Sequence, residues 1–199
     1  MLDAYPTAAA YLAGLPAGLD SHPECLAYEA HEGARRQLLE RGTGVLDEPL
    51  AAVLRTQGSD RWIPDVHGLV AQMMLVDALG EPAYLRWIYD EARRLYDRPF
   101  LRHLMRLLSP SLVLMGGASR WGALHKGSRL SALPLHKSGP RVTGGITLEY
   151  PVGLFPPAFC RALAETFRAA CDLAHASAAT ARLVEHGSTR SSFEIGWDR

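Results

Sequence analysis

The chain has 199 residues, 48% of them hydrophobic, and its 21 basic and 21 acidic side chains cancel. That length supports one well-buried core, while charge neutrality without any long Lys/Arg run removes the electrostatic footprint of a nucleic-acid binder. No apolar run approaches the roughly 18 residues that cross a bilayer, and the N-terminus has no basic-then-apolar signal, so a soluble, cytoplasmic chain without a membrane span is expected.

In chain order, residues 1–20 read as a short packed helix or an arm reaching to a neighbour. Ser21-His22-Pro23-Glu24 has the form of a capping box, which predicts a helix from Ser21 to Arg41 with Leu26, Ala30, Ala34 and Leu38 buried and Gly42 as its stop. A short helix capped by Asp47 follows, with Leu50, Val53 and Leu54 inward. Trp62-Ile63-Pro64 leads into the most hydrophobic helix, where Val66, Leu69, Val70, Met73 and Met74 recur at helical spacing before Gly80. Three further helices, Pro82–Tyr96, Pro99–Leu108 and Pro110 to about His125, each open on a proline. Gly116 and Gly117 weaken the last of them by about 1 kcal/mol each unless a helix or a ligand approaches its backbone there.

The pattern then changes period. Val142, Ile146, Leu148 and Tyr150 share one face against Arg141, Thr143, Thr147 and Glu149, as in a half-buried strand. Phe159, Leu163, Phe167, Ala170 and Ala174 form the stripe of a helix opened by Pro156-Pro157. Ser191, Phe193, Ile195 and Trp197 alternate again after a Gly187-Ser188-Thr189 turn. The fold class is therefore α+β: one domain over 1–199, with a helical part at 21–126 packed on a β-β-α-β-β antiparallel sheet at 127–199.

Familiar catalytic signatures are missing. There is no phosphate loop, dinucleotide fingerprint or G-x-S-x-G elbow, since Gly117-Ala118-Ser119-Arg120-Trp121 ends wrongly. His31-Glu32 starts like a zinc-protease helix, but Arg35 stands where the second His belongs. No metal site is expected, and Cys25, Cys160 and Cys171 read as reduced, buried thiols; eleven residues along a helix set the last two about 16 Å apart, too far for a disulfide. Asp77, on the extension of the Val66/Val70/Met73 stripe, either has a polar partner, or a raised pKa, or marks the helix emerging into water.

Polar groups scattered among apolar helices suggest a cavity. Its walls would be Trp62, His67, Met74, Trp87, His103 and Trp121, with His125 and Lys126 at the polar end, where Trp121 to Ser128 gathers an aromatic ring, an imidazole and a cation. The same tract also reads as a helix C-terminus stabilised by His125 and Lys126 and closed by Gly127.

Helices ending in Trp121-Gly-x-x-His125-x-Gly127, two strands, a Pro-led helix and a hairpin closing on Phe193-Glu-Ile-Gly-Trp197 resemble an uncharacterised myxobacterial family. That family is in turn similar to the superfamily of haem–nitric oxide sensors, vinyl-reductase-type domains and TRAPP-like vesicle-tethering subunits. The resemblance spans Trp62 to Trp197 and implies an apolar cavity between helices and sheet. In different relatives that cavity holds haem, aromatics, tetrapyrrole precursors or acyl chains, so the cofactor stays open; a haem here would use His67, His103 or His125 as axial ligand in a different way, because the Tyr-x-Ser-x-Arg that grips haem propionates in the gas sensors is absent. Three functions fit: a sensor or adaptor domain enclosing an apolar or aromatic small molecule; an enzyme using the same cavity with His67 or His125 as general acid/base; and an interaction module without ligand that binds another protein or forms a homodimer.

Overall fold

The computed structural model describes residues 4–28, 34, 36–38, 62–96 and 108–198. The expected helix after Asp47, the one over Pro99–Leu108 and His103 lie outside the described residues. The structure is α+β with antiparallel sheets, and no helix among the described residues is long and apolar enough to cross a membrane.

The helices are α1 (Pro6–Ala13), α2 (Asp65–Leu79), α3 (Glu81–Tyr96), α4 (Pro110–Leu124) and α5 (Pro157–Leu173). α2 is apolar nearly all round and is buried from Asp65 to Val76 except at His67, the behaviour of a central helix. It stops at Gly80, whose φ of +77° is one that glycine adopts at no steric cost. α4 opens on Ser109, whose Oγ accepts the Leu112 N–H at 3.3 Å. α5 lays Phe159, Leu163 and Phe167 on the sheet and its other side on α3, with Phe167 edge-on to Phe193 at 5.5 Å.

The described residues form two sheets. The smaller has the order β2–β1–β3, built from β1 (Leu26–Tyr28), β2 (Trp62–Pro64) and β3 (His125–Lys126). Here the capping-box expectation fails. Ser21 Oγ faces backward and accepts the Ala17 N–H at 2.9 Å, and Ala27 pairs with both Ile63 and His125. Backbone pairing on both edges of β1 outweighs the local helix signal up to Tyr28, and among the later described residues Ala34 and 36–38 are helical, with Ala34 and Leu38 buried as expected. β3 likewise ends α4 at Leu124, so His125 is a strand residue.

The larger, five-stranded sheet contains β4 (Arg129–Ala132), β5 (His136–Ser138), β6 (Arg141–Glu149), β7 (Ser177–His186) and β8 (Arg190–Asp198). Its order is β4–β6–β8–β7, with β5 also on β6. Register sets Val142 beside Trp197, Ile146 beside Phe193 and Leu148 beside Ser191 on the covered face. Between β4 and β5 the chain leaves the ladder at Leu133-Pro134-Leu135. Two glycines allow this: a Cβ on Gly144 would lie 2.5 Å from Leu135, and one on Gly145 2.8 Å from Leu133. β7 is irregular at two places, Ser177/Thr180 and Leu183/Glu185. The first is held by Arg141, which donates to Ala178 O at 2.9 Å and Thr180 Oγ1 at 2.6 Å and pairs with Asp198 at 3.2 Å. One continuous apolar core runs from α1 through α2 to α5 and β8.

Candidate functional site

Of the expected cavity residues, the structure brings together Trp62, Trp121, His125 and Lys126. His125 stacks on Trp121 with ring centres 3.8 Å apart and planes 10° from parallel, and Lys126 Nζ sits 4.2 Å above the Trp62 ring. Trp121 Nε1 donates to Ser128 Oγ at 3.0 Å. Sequence reasoning missed the partner that organises this corner. Asp65, fully buried at the first turn of α2, places Oδ1 3.4 Å from His125 Nδ1, and its N–H donates to Cys25 O at 2.9 Å. Behind them Gly127, at φ +79°, is pressed so closely on Cys25 that a Cβ would fall 2.4 Å from Sγ. The imidazole is thus enclosed by a carboxylate, an indole and backbone, as a structural pair would be.

Met74 is in the core and Trp87 packs beside it, next to Tyr84 at 6.3 Å. Nothing presses on Gly116 or Gly117, whose Cβ positions are open, so the helix or ligand that would explain them is not among the described residues.

A cleft of about 620 Å³ lies elsewhere, between α1, the C-terminal half of α2, the first turn of α5 and the β7–β8 turn. α1 supplies Thr7, Ala10, Tyr11 and Gly14, one face at helical spacing. Asp77 is the polar anchor of that wall: its carboxylate accepts the N–H of Thr7 at 3.0 Å and of Ala8 at 3.2 Å, capping α1 from a distant helix. Tyr11 fixes the other end by donating to Leu154 O at 2.8 Å, and burial raises its hydroxyl's pKa with help from the charge of Asp65. Met73, Val76 and Phe155 to Ala158 complete an apolar interior, while Glu81, Arg161, His186 and Ser188 form the polar end. Arg161 pairs through Nε with Glu81. Neither this cleft nor a smaller one of about 250 Å³ beside Ser109 and Trp197 is lined by Trp62, His67, Met74, Trp87, Trp121, His125 or Lys126. The expected lining sits one helical face away: Met73 reaches the cleft and Met74, turned by 100°, does not.

No protein-family model, curated protein or solved structure matches this chain.

Beneath the polar end is a hydrogen-bonded cluster that the sequence reading also missed. His186 and Ser191 are direct partners across the β7–β8 turn, with Nδ1 and Oγ 2.9 Å apart. Ser191 Oγ also meets Tyr150 Oη at 2.7 Å and Cys160 Sγ at 3.3 Å, and Tyr150 donates to Gly187 O at 2.9 Å. Ser191 and Cys160 are fully buried. Burial pushes the Cys160 thiol up to about 11 and, followed by the Arg161 charge, lowers the His186 pKa. A protonated thiol and a sealed hydroxyl are poor nucleophiles, so the cluster orients His186 and supplies no attacking group. The cleft was hard to foresee because its walls come from residues 7 to 188. The hairpin turn was the one local signal, although a Gly187-Ser188-Thr189 turn alone would set His186 against Arg190, and the pairing with Ser191 needs the four-residue connection 187–190.

Of the axial candidates for haem, His125 is held by Asp65 and Trp121, His67 lines neither cleft, and His103 lies outside the described residues.

Proposed function

We propose that this chain is a small-molecule-binding sensor or adaptor domain whose ligand occupies the cleft between α1, α2, α5 and the β7–β8 turn. The observation that carries this reading is the cleft itself, about 620 Å³ with apolar walls and polar groups gathered at one end. Specific ligand sites have this volume and this division of labour, with apolar surface for affinity and a few polar groups for orientation. The superfamily resemblance is part of the same proposal, because a ligand chamber between helices and sheet is what it implies. The enzyme reading loses support, since the imidazole–carboxylate pair, His125 with Asp65, is enclosed away from both clefts.

Native mass spectrometry of the purified chain, paired with Ala10→Trp to fill the cleft from α1, tests the proposal. The expected result is an added mass, or uptake of the apolar dye Nile red, that is lost on unfolding and lost in Ala10→Trp. No added mass and no dye uptake by the folded wild type, or uptake equal in the variant, would overturn it.

A further inference from the structure

The polar end of the cleft specifies what the ligand carries there. Arg161 spends Nε on Glu81, and neither terminal guanidinium nitrogen makes a further hydrogen bond among the described residues. Arg161 lines the cleft, so this fork of two terminal N–H donors is what it has left for a ligand, and such a fork matches the two oxygens of one carboxylate. Glu81 neutralises part of the Arg161 charge without occupying that fork.

His186 lines the same end. Its Nδ1 lies 2.9 Å from Ser191 Oγ, which also meets Tyr150 Oη at 2.7 Å and Cys160 Sγ at 3.3 Å, so the ring is anchored through its Nδ1 edge beside the arginine. Ala10, Met73, Val76, Phe155 and the ring of Tyr11 make an apolar lining suited to an alkyl or aryl group, with Thr7 a neutral polar residue on the α1 wall and Arg161 the cation of the lining.

We infer that the cleft selects an apolar molecule ending in a single carboxylate, clamped by the terminal nitrogens of Arg161. This rests on the reading of the cleft as a ligand site and adds the charge of the ligand's polar end. Arg161 is then the specificity-determining residue.

The test is calorimetric titration of the whole chain with decanoate and with decyl alcohol, which share a tail and differ at the head. Decanoate should bind at least about ten-fold more tightly, the size of one charge-assisted pair. Arg161→Gln should erase that preference, weakening decanoate at least about ten-fold toward the alcohol's affinity. Arg161 is a half-exposed surface residue, so the variant folds, and circular dichroism verifies it. Equal affinity for acid and alcohol, or an undiminished preference in Arg161→Gln, would overturn the carboxylate inference and leave the ligand site standing. Failure of both compounds to bind would overturn the two together.

Discussion

Replacing Asp65 by Asn tests whether the buried pair with His125 holds the small sheet to the helical core. The substitution keeps the shape and removes the charge from a carboxylate that is fully buried and 3.4 Å from Nδ1 of an imidazole only 6% exposed. Breaking a buried pair by removing one partner costs about 3–5 kcal/mol, and Asn, which can still accept a hydrogen bond, belongs at the low end. Losing the negative charge from the first turn of α2 adds about 0.5 kcal/mol. The total, about 3.5 kcal/mol, corresponds to a fall in Tm of about 7–14 °C in a chain of this length. Urea unfolding followed by tryptophan fluorescence is the assay, because Trp121 stacks on the affected ring. His125→Phe preserves that stack, and the double variant should be more stable than the sum of the single losses predicts by about 1 kcal/mol or more. A loss below about 0.5 kcal/mol for Asp65→Asn, or additivity of the two changes within that margin, refutes the reasoning.

Three further outcomes are expected. Gly127→Ala should destabilise by about 2 kcal/mol or more, combining a positive φ with a Cβ placed 2.4 Å from Cys25 Sγ, and a thermal melt reads it. Ala178, at φ +49°, is strained where glycine would not be, so Ala178→Gly should raise Tm by about 1–3 °C once the glycine entropy cost is subtracted. Burial raises the thiol pKa from 9.0 to about 11 for Cys160 and about 12 for Cys25 and Cys171. Below pH 9 the thiols are neutral in both states; above it only the unfolded chain ionises, so the urea midpoint should be flat up to about pH 9 and fall from there through 11–12. Iodoacetamide at pH 8 should likewise leave the folded chain unmodified and add three groups after unfolding.

The sheet was legible because its covered face repeats every second residue: Val142, Ile146, Leu148, Phe193, Ile195 and Trp197 are all buried as the alternation required. α2, α3, α4 and α5 were legible from helical spacing and proline starts. β1 was not, because three residues are too few for a period, and its existence depends on β2 and β3, which lie far away in sequence. Asp77 shows the same limit. Its position on the stripe was readable, but its partners are backbone N–H groups about 70 residues earlier, which carry no sequence signature. The Trp121–His125 corner was legible as a cluster, but neither described cleft is lined by it, because residue types reveal what can converge and not where space remains. The cleft beside α1 went unseen for the converse reason: alanines, glycines and prolines line much of it, and small residues leave room without announcing it.

The interruption at Leu133-Pro134-Leu135 and the two irregularities in β7 fall on the two outer strands of the five-stranded sheet. An exposed straight strand is a template on which another chain can crystallise its own backbone, the first step toward fibrous aggregates. Here each border is broken before it offers many consecutive residues, one by a proline that has no N–H to give and the other by register slips. Gly144 and Gly145, by making room for the leucines on either side of that proline, therefore act in colloidal behaviour as well as in packing. Larger residues at those positions would straighten the border and should be looked for first when a variant of this chain precipitates.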